Sequence, residues 1–146
     1  MIRAVLDTNV LLSALMGKKS RAPSEIYKAF IDKEFLLITS PSILNEFEDV
    51  INREEIIKLH GLPPRKRKGI IRELLTLSYI TSDKTSTEKA IVKNGPEDDK
   101  LFHAAIEGGV EYIVSKDNDV KNIKTYKGVK IIEPSEFIKL LSTIQK

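Results

Sequence analysis

Five acidic residues stand close to the ends of predicted strands. Asp7 and Asp117 follow the first and the fourth predicted strand, and Glu46 lies in the second turn of the helix after the second strand. Asp98 and Asp99 begin the helix that precedes the fourth strand. In an open parallel α/β sheet, the residues that follow the strands gather at one edge, where ligands bind. We therefore expect these carboxylates to face one another at that edge.

Clustered carboxylates of this kind are suited to binding a divalent cation. They repel one another and raise one another's pKa values unless a cation joins them. The chain has no cysteine and only two histidines, so a metal site here must consist mainly of oxygen ligands, which favour Mg²⁺ or Mn²⁺. Held by a few carboxylates and a substrate phosphate, such an ion polarises a phosphoryl oxygen and orients a water molecule. The acids thus predict phosphoryl chemistry with Mg²⁺ or Mn²⁺ as cofactor.

Each acid also has an ordinary structural explanation. Asp7 is a suitable N-cap for the following helix, and the pair at 98–99 suits the positive end of a helix dipole. Asp117 and Asp119 suit an Asx turn. Glu46 borders the apolar stripe of its helix. These explanations leave the common placement of the acids at one strand edge unexplained, and that coincidence favours a shared function.

The elements that must position these acids alternate between strands and helices. Strands are predicted at residues 2–6, 35–39, 79–81, 112–115 and 130–132. Helices are predicted to begin near Val10, Pro23, Pro41, Pro96 and Pro134, and after the basic run at 65–68. This alternation predicts a three-layer α/β/α fold with a central parallel sheet of about five strands. We expect residues 1–146 to form a single domain.

Composition excludes several classes of protein. With 41% hydrophobic and 31% charged residues, the chain resembles neither a disordered segment nor a membrane protein. The apolar N-terminal run meets Asp7 too early for a signal peptide, so we expect a cytoplasmic protein without a membrane partner. The net charge of +3 permits nucleic-acid binding without arguing for it. A P-loop, a GxGxxG fingerprint and a GxSxG elbow are all absent from the sequence.

Four motifs and a closing segment carry a family resemblance. They are Asp7-Thr8-Asn9-Val10, Glu46 after Thr39-Ser40-Pro41-Ser42, Pro96-Glu97-Asp98-Asp99-Lys100-Leu101-Phe102 with Ala104-Ala105, Tyr112-Ile113-Val114-Ser115-Lys116-Asp117-Asn118-Asp119, and residues 129–137. With the motifs in this order, the sequence resembles the PIN domain nucleases over nearly its whole length. The closing segment is similar to the ending of a bacterial and archaeal branch whose members are labelled toxin components.

The resemblance implies a Mg²⁺- or Mn²⁺-dependent endoribonuclease that cuts single-stranded RNA. In many members of the family this enzyme is the toxin of a toxin–antitoxin pair, with a small antitoxin protein as partner, and it is often a homodimer. The acids of the family correspond to Asp7, Glu46, Asp99 and Asp117, as catalytic residues and metal ligands. Asp98 and Asp119 can each replace a neighbour; the number of metal ions stays open.

Two basic segments are candidates for RNA contacts. The first contains Lys18, Lys19 and Arg21 and follows the first predicted helix, where it can form a lip near Asp7. The second comprises Arg65, Lys66, Arg67 and Lys68. These four cations stand in the first turn of a helix, where the dipole disfavours them, and this cost is consistent with a use in phosphate binding. The alternative is an ordinary solvated charge run.

Two other functions compete with the nuclease. A Mg²⁺-dependent phosphatase or phosphotransfer domain can share this fold, but its second acid after the first strand is replaced here by Asn9. An inactive homologue that binds RNA or a protein is the other alternative. Acids intact at all four motif positions weigh against it.

Overall fold

Short apolar segments form a mostly parallel sheet at the centre of the molecule. The computed structural model describes residues 1–16, 21–83, 91–92 and 96–144. Within these residues the strands are β1 (Arg3–Leu6), β2 (Leu36–Thr39), β3 (Tyr79–Ile80), β4 (Tyr112–Val114), β5 (Thr125–Tyr126) and β6 (Val129–Ile132). Their order across the sheet is β3-β2-β1-β4-β6-β5. Every neighbouring pair is parallel except β5 and β6.

Helices connect the strands. They are α1 (Thr8–Ala14), α2 (Arg21–Ile31), α3 (Pro41–Ile51), α4 (Glu54–His60), α5 (Pro64–Leu77), α6 (Asp99–Gly108), α7 (Asn118–Lys121) and α8 (Pro134–Ile144), with a 3₁₀ turn at Pro96–Asp98 before α6. Ser40 caps α3 as its sequence predicts, since its hydroxyl accepts a hydrogen bond from the Ile43 amide at 3.2 Å. Among the described residues, no helix has the length and apolar character needed to cross a bilayer.

Two apolar cores lie on opposite faces of the sheet. Ala4 and Leu6 belong to one core, together with apolar residues of α1, α2, α3 and α8. Val5 belongs to the other, with Ile113 and the buried face of α6. This alternation follows from the two-residue period of a strand. Helices therefore cover both faces, which confirms the predicted α/β fold with a central, mainly parallel sheet.

The register brings the carboxyl ends of three strands together. Val5 pairs with Ile38 of β2 on one side and with Ile113 of β4 on the other. The ladder continues past β1, because the amide of Asp7 donates to the carbonyl of Val114 at 3.0 Å. Residues that leave β1, β2 and β4 therefore emerge side by side at one edge.

Four elements differ from the sequence prediction. The sheet has a sixth strand, β5, which is only two residues long and pairs antiparallel with β6. α4 has no buried residue, so it lacks the apolar stripe by which a helix is detected. α7 is a single turn of four residues. The predicted helix at Pro96 begins as the 3₁₀ turn and becomes α-helical only at Asp99.

A glycine allows α6 to approach the sheet. A Cβ atom on Gly108 would lie 2.3 Å from Cγ2 of Ile38, a buried residue of β2. Real Cβ atoms do not approach another heavy atom so closely, so a side chain here would have to displace the helix or the strand. Gly108 thus sets how closely α6, which begins at Asp99, packs against the sheet.

Candidate active site

Asp7 is the buried centre of the acidic edge. It is 4% exposed, and its Oδ2 accepts a hydrogen bond from the hydroxyl of Ser115 at 2.7 Å. It stands at the N-cap position of α1, but its side chain makes no capping hydrogen bond to that helix. Burial raises the pKa of Asp7, the bond from Ser115 lowers it, and the nearby charges of Asp117 and Glu46 raise it. These influences place three carboxylates in one electrostatic neighbourhood.

Ser115 ties β4 to Asp7, and sequence reasoning missed it. Its side chain is fully buried; the hydroxyl donates to Asp7 and accepts from the amide of Asp117 at 3.1 Å. The only signal in the sequence is a hydroxyl residue at the end of an apolar strand. Ser115 therefore fixes Asp7 and the backbone at Asp117 in relation to each other.

Asp117 also caps a helix. It stands at the N-cap of α7, and its Oδ1 accepts a hydrogen bond from the amide of Asp119 at 2.9 Å. This is the capping role that sequence reasoning weighed as the ordinary explanation. The side chain of Asp119 is exposed. Capping occupies one oxygen of Asp117, while its charge still acts on Asp7 and Asp98.

Asp98 lies among the same charges. Burial raises the pKa of Asp98 to about 6, and the charges of Asp7, Asp117 and Glu97 add to this effect, while Lys100 opposes it. Asp98 stands in the 3₁₀ turn before α6 and is partly buried. Burial is the main cause of this raised pKa, and repulsion among carboxylates that no cation joins adds to it.

Asp99 has a different environment from its neighbour. It is 7% exposed, and its two carboxylate oxygens accept hydrogen bonds from the amides of Ile91 at 3.2 Å and Val92 at 2.8 Å. This carboxylate therefore anchors the backbone at 91–92 to the start of α6. The geometry separates the two acids that the sequence left as alternatives: Asp98 lies with Asp7 and Asp117, and Asp99 binds backbone amides.

Glu46 reaches the site from α3. It is half-buried and forms an ion pair with the Nζ of Lys100 on α6. The same Nζ donates to the backbone carbonyl of Glu97 at 2.7 Å. The Glu46 charge nevertheless contributes to the raised pKa of Asp7.

The donor set fits a hard divalent cation. Around Asp7 the ligand atoms on offer are carboxylate oxygens, the class that Mg²⁺ and Mn²⁺ prefer. Across the described residues, no three Asp, Glu or His side chains are arranged closely enough to hold an ion as they stand. The charges of Asp117 and Glu46 raise the pKa of Asp7, and those of Asp7 and Asp117 raise the pKa of Asp98; a bound cation would relieve this repulsion.

The basic candidates have varied environments. Lys18 and Lys19 lie outside the described residues. Arg21 is the first residue of α2 and pairs with Glu25 at 3.1 Å, with 90% of its side chain exposed. Within the second run, Arg67 donates to the Asn52 side chain at 2.8 Å and to the Leu62 carbonyl at 2.6 Å.

The other three members of that run, Arg65, Lys66 and Lys68, are exposed on the first turns of α5. Arg67 thus links the start of α5 to α3, and its three neighbours present their charges to solvent.

Replacing Ser115 with alanine is expected to shift the titration of Asp7. Because the hydroxyl bond lowers the pKa of Asp7, its loss should raise that pKa further above the usual value of an aspartate. NMR titration of the Asp7 carboxyl carbon in the metal-free protein measures this shift. A Ser82→Ala variant is the control, and an unchanged Asp7 titration in Ser115→Ala would contradict the assigned role.

Comparisons with known proteins agree with this fold. The family model described as "PIN domain" matches residues 3–119. The fold is similar to the crystal structure of PAE2754 from Pyrobaculum aerophilum, with a TM-score of 0.62 and 15% identity over 97% of this chain and 90% of that one. It is also similar to the crystal structure of VapBC2 from Rickettsia felis, in which VapBC2 is bound to a DNA fragment from its own promoter. The TM-score is 0.59, with 12% identity over 90% of this chain and 98% of that one. No curated protein matches the sequence.

Proposed function

The chain belongs to the PIN domain family, whose members are generally nucleases, and on this premise we propose that it is a Mg²⁺- or Mn²⁺-dependent endoribonuclease. The proposed substrate is single-stranded RNA. The observation that carries the proposal is that the charge of Asp117 acts on Asp7 and that the charges of both act on Asp98, although the three come from separate segments of the chain. Glu46 belongs to the same neighbourhood through its effect on Asp7.

In this proposal Asp7, Asp98 and Asp117 hold the metal, and Glu46 is the outer acid of the site. Asp98 replaces Asp99, because the Asp99 carboxylate is already bonded to two backbone amides. Asp119 is a weaker candidate, since its side chain is exposed while its amide serves the cap of Asp117.

The chain's own residues orient the reacting groups. A bound divalent ion supplies charge stabilisation at a phosphoryl oxygen and makes water a better nucleophile. Ser115 donates to one oxygen of Asp7, which orients that buried carboxylate and favours its ionised form. Asp98, with a pKa of about 6, can hold a proton in the metal-free site near neutral pH.

We further propose that this nuclease is the toxin of a cytoplasmic toxin–antitoxin pair and acts as a single-domain homodimer. The support is the resemblance of the closing segment to the toxin branch and the likeness of the fold to VapBC2. Co-expression with a small protein from an adjacent reading frame tests this role. Relief of growth arrest and recovery of a stable complex are expected, whereas growth without arrest in the absence of that protein would contradict a toxin role.

Removal of metal is expected to abolish cleavage. A fluorescent single-stranded RNA should be cut in Mg²⁺ or Mn²⁺, remain intact in excess chelator, and be cut again after Mn²⁺ is restored, because the site holds only oxygen donors. Denaturing gel electrophoresis measures the products. Equal cleavage in excess chelator would contradict the metal mechanism, and cleavage of DNA alone would contradict the RNA assignment.

Neutralising the exposed part of the second basic run is expected to weaken RNA binding. If Arg65, Lys66 and Lys68 each contact a phosphate, changing all three to serine should flatten the plot of log K against log salt by roughly 2 units, at about 0.7 per contact. Arg67 is kept because its guanidinium binds within the protein. Fluorescence anisotropy in an Asp98→Asn background, which prevents cleavage, measures the slopes. Equal slopes with and without the three substitutions would indicate that these basic residues are ordinary solvated charges.

A further inference from the structure

A lysine ammonium lies inside the acidic site. Lys100 belongs to the first turn of α6, and its Nζ forms an ion pair with Oε2 of Glu46 on α3. It also donates to the carbonyl of Glu97 at 2.7 Å. The side chain is 18% exposed, so the ammonium is largely withdrawn from water. Two of its three N–H groups are therefore directed to oxygens of the site itself.

The position of Lys100 affects more than its direct partner. Its charge lowers the pKa of Asp98, which shows that its field reaches the carboxylates around Asp7. An ion pair of this exposure contributes little to stability, because desolvation of both groups offsets their attraction. A stabilising link between α3 and α6 is thus an incomplete explanation for a cation at this place.

We propose that Lys100 is a built-in counter-ion of the acidic site, which competes with a divalent cation for Glu46 and thereby lowers the affinity of the protein for that cation. The inference rests on the proposed metal site. It extends that proposal by naming a residue that regulates metal affinity and that the four acidic motifs do not include. In the absence of metal, the ammonium neutralises one carboxylate; a divalent ion can use Glu46 only after that pair opens.

The test is a titration of the metal-free protein with Mn²⁺, in which electron paramagnetic resonance measures free Mn²⁺. Lys100→Met removes the charge and keeps an unbranched side chain, and it should bind Mn²⁺ at least tenfold more tightly than the wild type. Lys100→Arg keeps the charge and should bind Mn²⁺ within about threefold of wild type.

Lys28→Met is a matched control for net charge. Lys28 lies in the last turn of α2, which leads to the start of β2 and not to the strand ends that carry the acids, and its replacement should leave Mn²⁺ affinity unchanged. A double-mutant cycle isolates the pair. In a Glu46→Gln background the gain from Lys100→Met should shrink, because the carboxylate for which lysine and metal compete is absent.

The outcomes separate this inference from the function on which it rests. If wild type binds Mn²⁺ and Lys100→Met binds it equally or more weakly, the counter-ion role is overturned while the metal site stands. An equal gain with and without Glu46 would overturn the competition for Glu46. Binding by neither wild type nor Lys100→Met would overturn the metal site and this inference together.

Discussion

Asp98→Asn is expected to lower the rate of RNA cleavage by about 10²-fold or more, whereas Asp99→Asn should retain most of the activity of its folded fraction. The first change removes a proposed metal ligand, and each factor of ten corresponds to about 1.36 kcal/mol of lost transition-state stabilisation. The second affects a carboxylate that binds the amides of Ile91 and Val92. Single-turnover cleavage of a labelled RNA, at a temperature where both variants are folded, measures the difference.

The two variants should also differ in stability, with opposite signs. The pKa of Asp98 is raised by folding, so its ionised form destabilises the native state. This penalty is absent below the unfolded pKa of about 4 and complete above the folded pKa of about 6. Asp98→Asn should therefore raise the melting temperature of the metal-free protein at pH 7.5, and the gain should vanish near pH 4.

Asp99→Asn should instead lower the melting temperature at pH 7.5, because two hydrogen bonds to a charged acceptor become weaker. The expected loss is about 2 kcal/mol. Thermal unfolding at both pH values, with chelator present, tests the pair. An inactive, folded Asp99→Asn beside an active Asp98→Asn would restore the assignment of Asp99 to the site.

Gly108→Ala is expected to destabilise the protein by about 2 kcal/mol, although alanine is the better helix former. The new methyl group would lie 2.3 Å from Cγ2 of Ile38, a side chain that is 1% exposed. Relief of this overlap requires Ile38 or the packing of α6 on β2 to shift. Because α6 begins beside Asp98, cleavage activity should fall together with stability.

Gly69→Ala is a matched control for this change. Gly69 lies in α5, and a Cβ atom there would meet no heavy atom within 4 Å. This substitution should stabilise the protein by up to about 1 kcal/mol through helix propensity alone. Urea unfolding of both variants measures the two free energies. A stabilised Gly108→Ala would contradict the close packing of α6 on β2.

Sequence patterns predicted the parts of the fold that depend on local periodicity and capping. The five parallel strands are apolar and short, and the cap of Ser40 on α3 is a local interaction, so both were predictable. The strand β5 was not predicted because Thr125 and Tyr126 stand among polar residues and form no apolar run. The helix α4 was not predicted because none of its residues is buried.

The candidate site was predictable in its location but not in its detail. The convergence of acids at one edge follows from the parallel sheet, whichever of Asp98 and Asp99 takes part. Asp98 and Asp99 are adjacent, and their directions depend on where the 3₁₀ turn becomes the α-helix. Ser115 and Lys100 act through contacts with residues far away in the sequence, which a single sequence cannot reveal.

The pairing of β1 with β4 has a consequence for how this site can vary. Asp7 directly follows β1, and Asp117 follows β4 by only a short link that Ser115 anchors. The separation of the two attachment points is therefore set largely by the spacing of hydrogen-bonded strands, about 4.8 Å, which is a property of the backbone. Insertions in distant loops and exchanges of core side chains leave that spacing intact. The geometry of the proposed metal site is thus insensitive to most substitutions, and under the proposed function RNA specificity can diverge on the surrounding surface without loss of the chemistry.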